Sequence, residues 1–166
     1  MNRNLLLTAT AIGVLCGLWA FGAPLVGLSI WAGFAGCTAY FACGRRLLPG
    51  LGLTLATTLV GVLTALAMIW LGDVIGAPAG TGIAVGLIVI VIVLMGAVPW
   101  LAFVPGIFVG CYSTFAVDAD WRLLGLSLIA GALLGLACDW AGEQLVKVAG
   151  TKEPGEPAEH AAVEAG

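Results

Sequence analysis

Six apolar runs of 18 to 25 residues, none with an Asp, Glu, Lys, Arg or His near its middle, constrain this chain more than any other feature. They cover 5–22, 25–43, 47–71, 80–98, 100–117 and 123–142. About 20 apolar residues wound as a helix match the hydrocarbon thickness of a bilayer. Only 9% of the 166 residues are charged, against about 25% in soluble domains, so a water-facing surface cannot be assembled from them. The runs are continuous and do not alternate with polar residues, which excludes a transmembrane β-barrel. The expected fold is therefore all-α: a polytopic membrane protein with six transmembrane helices.

The runs fall into two sets of three. Starts at 5, 25 and 47 recur at 80, 100 and 123, with shifts of 75, 75 and 76. The segment Gly36-Cys37-Thr38-Ala39-Tyr40-Phe41-Ala42 returns 74 positions later as Gly110-Cys111-Tyr112-Ser113-Thr114-Phe115-Ala116, with four of seven residues identical. Arg46-Leu47-Leu48 is echoed by Arg122-Leu123-Leu124, and Pro24 and Pro99 each precede the second run of a half. Three is odd, so the second half enters from the opposite side, and the expected architecture is a 3+3 inverted repeat. Residues 1–148 form the membrane domain, with halves at about 5–72 and 80–146. An acidic tail, 149–166, holds Glu153, Glu156, Glu159, Glu164, two prolines and the lone histidine, His160; it is too poor in apolar surface to order.

The cations set the orientation. With the N-terminus inside, Arg3, Arg45, Arg46, Lys147 and Lys152 are cytoplasmic and Arg122 alone is outside, which predicts N-in/C-in. Trp19, Trp31, Trp70 and Trp121 then lie toward the outer interface, and Trp100 and Trp140 toward the inner one. No Ala-x-Ala-like site follows the first run, and Leu15 precedes Cys16 where a lipoprotein signal needs a small residue. The first run therefore reads as an uncleaved helix.

Helical spacing sorts the repeated segment onto faces. Gly36 and Tyr40 lie four apart, as do Gly110 and Thr114, and so do Cys37 with Phe41 and Cys111 with Phe115. One reading makes the two Gly–hydroxyl faces meet and line a narrow path. Gly36, Thr38, Tyr40, Phe41, Gly110, Ser113, Thr114 and Phe115 are its candidate lining residues, the two phenylalanines forming a constriction. The other reading is close helix packing with no path. Pro105-Gly106, about five residues into the fifth run, predicts a bend or break there. Glycines four apart at Gly13/Gly17, Gly82/Gly86, Gly106/Gly110 and Gly131/Gly135 fit a tight bundle and a homo-oligomer.

The absences narrow the function. The runs hold no central charge, which disfavours proton antiport and favours a neutral cargo. Asp139 and Glu143, one turn apart near the end of the last run, read as interfacial, near Lys147. Gly80-Thr81-Gly82 with Gly86 imitates a dinucleotide loop but follows no strand. Nucleophile turns and metal-binding His motifs are missing, as is a basic stripe, so neither an enzyme nor a nucleic-acid binder is expected. The five cysteines lie in apolar runs as free thiols; a soft-metal route through Cys37 and Cys111 rests on symmetry alone, and no metal or cofactor is expected.

Three segments carry a family resemblance: Trp31-Ala-Gly-Phe-Ala-Gly-Cys-Thr-Ala-Tyr-Phe-Ala-Cys43, Phe103-Val-Pro-Gly-Ile-Phe-Val-Gly110 and Thr114-Phe-Ala116. With the turn Asp120-Trp121-Arg122 they resemble the YcdZ-like family of small bacterial inner-membrane proteins, a domain of unknown function. The resemblance covers about residues 5–142 and implies a multi-pass bacterial inner-membrane location without implying a substrate. Gly44 stands where the family pattern has a proline. The leading expectation is a channel or facilitator for a small, largely neutral solute, with the lipid bilayer and copies of itself as partners. The alternative is a non-transporting scaffold or accessory subunit.

Overall fold

The computed structural model describes residues 3–76, 78–117 and 119–150. Six helices make up its regular structure: α1 (Arg3–Leu25), α2 (Ile30–Ala42), α3 (Leu47–Ile75), α4 (Gly80–Met95), α5 (Val104–Ala116) and α6 (Trp121–Gly150). Of these, α1, α3 and α6 are long and apolar enough to cross a bilayer. Of the expected tail, Ala149 and Gly150 continue α6, and 151–166 lie outside the described residues.

The second run of each half is helical over only 13 residues. At 1.5 Å per residue that is about 20 Å, short of a hydrocarbon core of roughly 30 Å. The expected starts at 25 and 100 are therefore too early. Leu25 is the last residue of α1, which runs on through Pro24, and Pro99 lies in the turn before α5. Gly27, with φ 73°, turns the chain, and the Ser29 hydroxyl then accepts from Ala32 N to cap α2. The break expected at Pro105-Gly106 does not occur. Pro105 sits in the first turn of α5, where its missing N–H has no helical partner to lose.

The helices group across the chain. α1 and α2 lie on α6, α4 and α5 lie on α3, and α3 meets α6 between the two groups. Lipid tails are as apolar as leucine, so this sorting rests on close packing and not on hiding apolar surface from water. Glycines do the sorting. A side chain on Gly36 would strike the Leu128 carbonyl, and one on Gly131 the Gly33 carbonyl. In the other group Gly110 faces the Thr58 carbonyl and Gly61 the Ile107 carbonyl. The two Gly–hydroxyl faces thus do not meet each other; each meets the last helix of the opposite half. Matching contacts are 74 positions apart on α2 and α5 but 70 apart on α3 and α6. The Arg-Leu-Leu echo, spaced by 76, is out of that packing register.

The four glycine pairs divide accordingly. Gly106, Gly110, Gly131 and Gly135 are used inside the bundle, whereas Gly13, Gly17, Gly82 and Gly86 face open space on α1 and α4.

Candidate functional site

Successive helices run antiparallel, so the end of α2, the start of α3 and the second half of α6 converge. Tyr40, Arg46, Leu47 and Asp139 meet there. Tyr40 Oη donates to Asp139 Oδ2 at 2.9 Å, and Arg46 Nε donates to Asp139 Oδ1 at 2.9 Å. Leu47 N donates to Tyr40 Oη at 2.7 Å and reaches Asp139 Oδ2 at 3.4 Å. The Asp139 side chain is 11% exposed, while that of Arg46 is 65% exposed. Hydrogen bonding to Asp139, then its charge, raises the Arg46 pKa above its already high value, so the guanidinium stays charged. Glu143 adds Lys147 at 2.6 Å and Arg46 at 3.7 Å.

The backbone is strained at this point. Leu47 adopts φ 55°, in the left-handed region where a branched side chain crowds the carbonyl, at a cost of about 1–2 kcal/mol. That conformation carries the N–H that faces Tyr40 and Asp139. Strain of this kind gathers at working sites, where the surroundings hold it in place. Tyr40, Phe41, Gly44, Arg45, Arg46 and Asp139 enclose a cavity of about 280 Å³.

A polar stripe leads inward from the cavity along α3. Gly50 packs against the Tyr40 ring, and Thr54, Thr57 and Thr58 follow at helical spacing, all buried. Thr57 and Thr58 donate to the carbonyls of Leu53 and Thr54, each at 2.8 Å. Thr114 on α5 donates to the Gly110 carbonyl at 2.8 Å. Their oxygens keep free acceptor capacity. The Thr54 and Ser113 hydroxyls are buried and unpartnered, and they bracket the contact between Gly110 and Thr58. Beyond it lies an apolar cluster of Ala32, Val62, Leu124 and Leu128, and the buried Thr64 hydroxyl donates to the Gly61 carbonyl at 2.8 Å. Two larger cavities, about 550 and 400 Å³, open along the α3/α6 groove, and none of the three runs through the bundle.

The residues expected to line a path divide. Gly36, Tyr40, Gly110, Ser113 and Thr114 are buried. Thr38, Phe41 and Phe115 are exposed, since turning Gly36 and Gly110 onto α6 and α3 turns these side chains outward; the two phenylalanines form no constriction. Cys37 and Cys111 are not brought together: Cys111 Sγ lies 3.7 Å from Met68 Sδ, and the neighbours of Cys37 are Cys16 and Cys138. The Arg46–Asp139 pair was missed. The available signal was that both residues fall on the same side of the bilayer, beside the ends of runs three and six.

A helical bundle with apolar side chains such as Phe21, Trp70 and Leu94 on its surface and polar groups turned inward is a polytopic integral membrane protein. The sequence pattern of the family described as "Protein of unknown function (DUF1097)" matches residues 9–143. The chain is 39% identical over 150 residues to the inner membrane protein YcdZ of Escherichia coli and to that of Salmonella typhimurium. The alignments cover 84% of this chain and 86% and 88% of those proteins. It is 31% identical over 166 residues to the uncharacterized protein YahC of Escherichia coli, covering 92% of this chain and 99% of that one. No solved structure matches it significantly. The chain belongs to the DUF1097 family and is an integral protein of the bacterial inner membrane.

Proposed function

We propose that the chain is a facilitator for a small, largely neutral solute, built as a 3+3 inverted repeat with both termini in the cytoplasm. The reciprocal contacts of α2 with α6 and α5 with α3 support the repeat. The excess of cations at the end that holds Arg3, Arg45 and Arg46 supports the orientation. The solute enters at the Tyr40–Asp139–Arg46 cavity and moves along Thr54, Thr57 and Thr58. The cluster of Val62, Leu124 and Leu128 closes the other end until it moves. The reading needs no cofactor and no catalytic step.

The observation that carries it is the pair of unpartnered hydroxyls, Thr54 and Ser113. A buried hydroxyl without a partner costs about 1–3 kcal/mol, and a passing solute that hydrogen-bonds offsets that cost. Osmotic swelling of proteoliposomes with urea, glycerol, ammonia and short-chain acids tests the proposal. At least one solute should enter faster than into empty vesicles, and Thr54→Val should slow it. Entry no faster for any of the four overturns the reading for that panel.

The second reading, a scaffold or accessory subunit, is favoured by Gly13/Gly17 and Gly82/Gly86, which face open space on α1 and α4. Gly17→Leu or Gly86→Leu should then abolish a partner's co-purification in mild detergent. Gly131 and Gly135 do not suit that test, because they pack inside the bundle.

A further inference from the structure

The α3/α6 groove holds a feature that solute passage does not use. At the end of the bundle where α6 begins, it widens into a cavity of about 550 Å³ walled by Leu59, Leu63, Leu126 and Ile129. Trp121 and Arg122 form its mouth. Gly125 opens the floor: a side chain there would meet nothing within 4 Å.

The mouth carries a positive charge. Arg122 has no ion pair among the described residues; its Cζ lies 5.3 Å from the centre of the Trp121 ring. The nearby Asp120 carboxylate caps α6, accepting from Leu123 N at 3.2 Å. The matching groove at the opposite end, about 400 Å³, is lined by leucines, Ala137 and Trp140, and the cation next to it, Arg46, is held by Asp139. Charge therefore distinguishes two otherwise similar apolar grooves.

We propose that the groove is a binding site for an anionic phospholipid, with one acyl chain between α3 and α6 and the headgroup phosphate on Arg122. An arginine resting on a tryptophan at the interface suits this task, because the ring holds the guanidinium level with the headgroups and leaves its donors free. The second groove takes ordinary lipid without selection by charge.

The test uses the full chain, delipidated in mild detergent and titrated with phosphatidylglycerol or phosphatidylcholine, with bound lipid read by native mass spectrometry. One interfacial arginine should favour phosphatidylglycerol by about fivefold. Arg122→Gln should bring the two lipids to equal binding. Gly125→Leu should lose the bound lipid while keeping the wild-type melting temperature. Equal binding of both lipids by the wild type overturns the proposal, and so does a preference that survives Arg122→Gln. Should Gly125→Leu fail to fold, the Arg122→Gln arm decides alone.

Discussion

The α2/α6 and α5/α3 crossings use the same device and end differently. In each, a glycine of the short helix rests on a carbonyl of the long one, and a glycine of the long helix returns the contact. Past the first crossing stands a charged cluster, Tyr40–Asp139–Arg46. Past the second, Thr114, which takes the place of Tyr40, bonds its own helix, and Cys111 meets Met68 in an apolar cluster with Ala65 and Ile107. One crossing therefore holds without charge. The fold needs the glycines; the ion pair is an addition at one end, and a strained Leu47 accompanies it.

Disrupting the shared part should have the largest effect. Gly36→Ala and Gly110→Ala each place a carbon on a backbone carbonyl, and both should cost about 3 kcal/mol or more. Thermal unfolding in detergent measures this, with Gly13→Ala as a control that shifts stability by at most about 1 kcal/mol, in the stabilising direction. Equal effects at Gly13 and Gly36 would remove the distinction between used and unused glycines.

The unshared part comes next. Asp139→Ala leaves the Tyr40 hydroxyl and Arg46 without their acceptor and should cost about 1–2 kcal/mol, tempered by the exposure of Arg46. It should also change the swelling rate for any transported solute. A substitution in the polar stripe has the opposite sign to Asp139→Ala. Thr54→Val removes an unpartnered hydroxyl and should raise stability by about 1 kcal/mol while slowing entry. Thr57→Val, whose hydroxyl is bonded to Leu53, should gain less. The smallest effect is expected at Glu143→Gln, too small to move the unfolding midpoint measurably, because its partners are exposed. A large loss there would make the outer ion pairs, not Asp139, the organising charge of that end.

Much of this comparison was legible in the residues. The spacing of Gly36 with Tyr40 and of Gly110 with Thr114 marked the faces that are buried. It could not mark what they are buried against, and pairing them with each other was the natural error of symmetry. Thr38, Phe41 and Phe115 went wrong for the same reason, since their facing depends on which neighbour the glycine chooses. Pro105 was misplaced because an apolar run does not show where its helix begins; the stretch before Val104 is as apolar as the helix itself.

By itself the sequence determined the helical membrane class, the six helices, the family and the buried glycine faces, because hydropathy and helical periodicity are local and a bilayer admits few alternatives. Only the tertiary structure decided that α2 lies on α6 and α5 on α3, and that Asp139 meets Tyr40 and Arg46. The same holds for the two hydroxyls left unpartnered. These depend on partners about 45 to 100 positions away, chosen by backbone fit among surfaces that lipid solvates equally well.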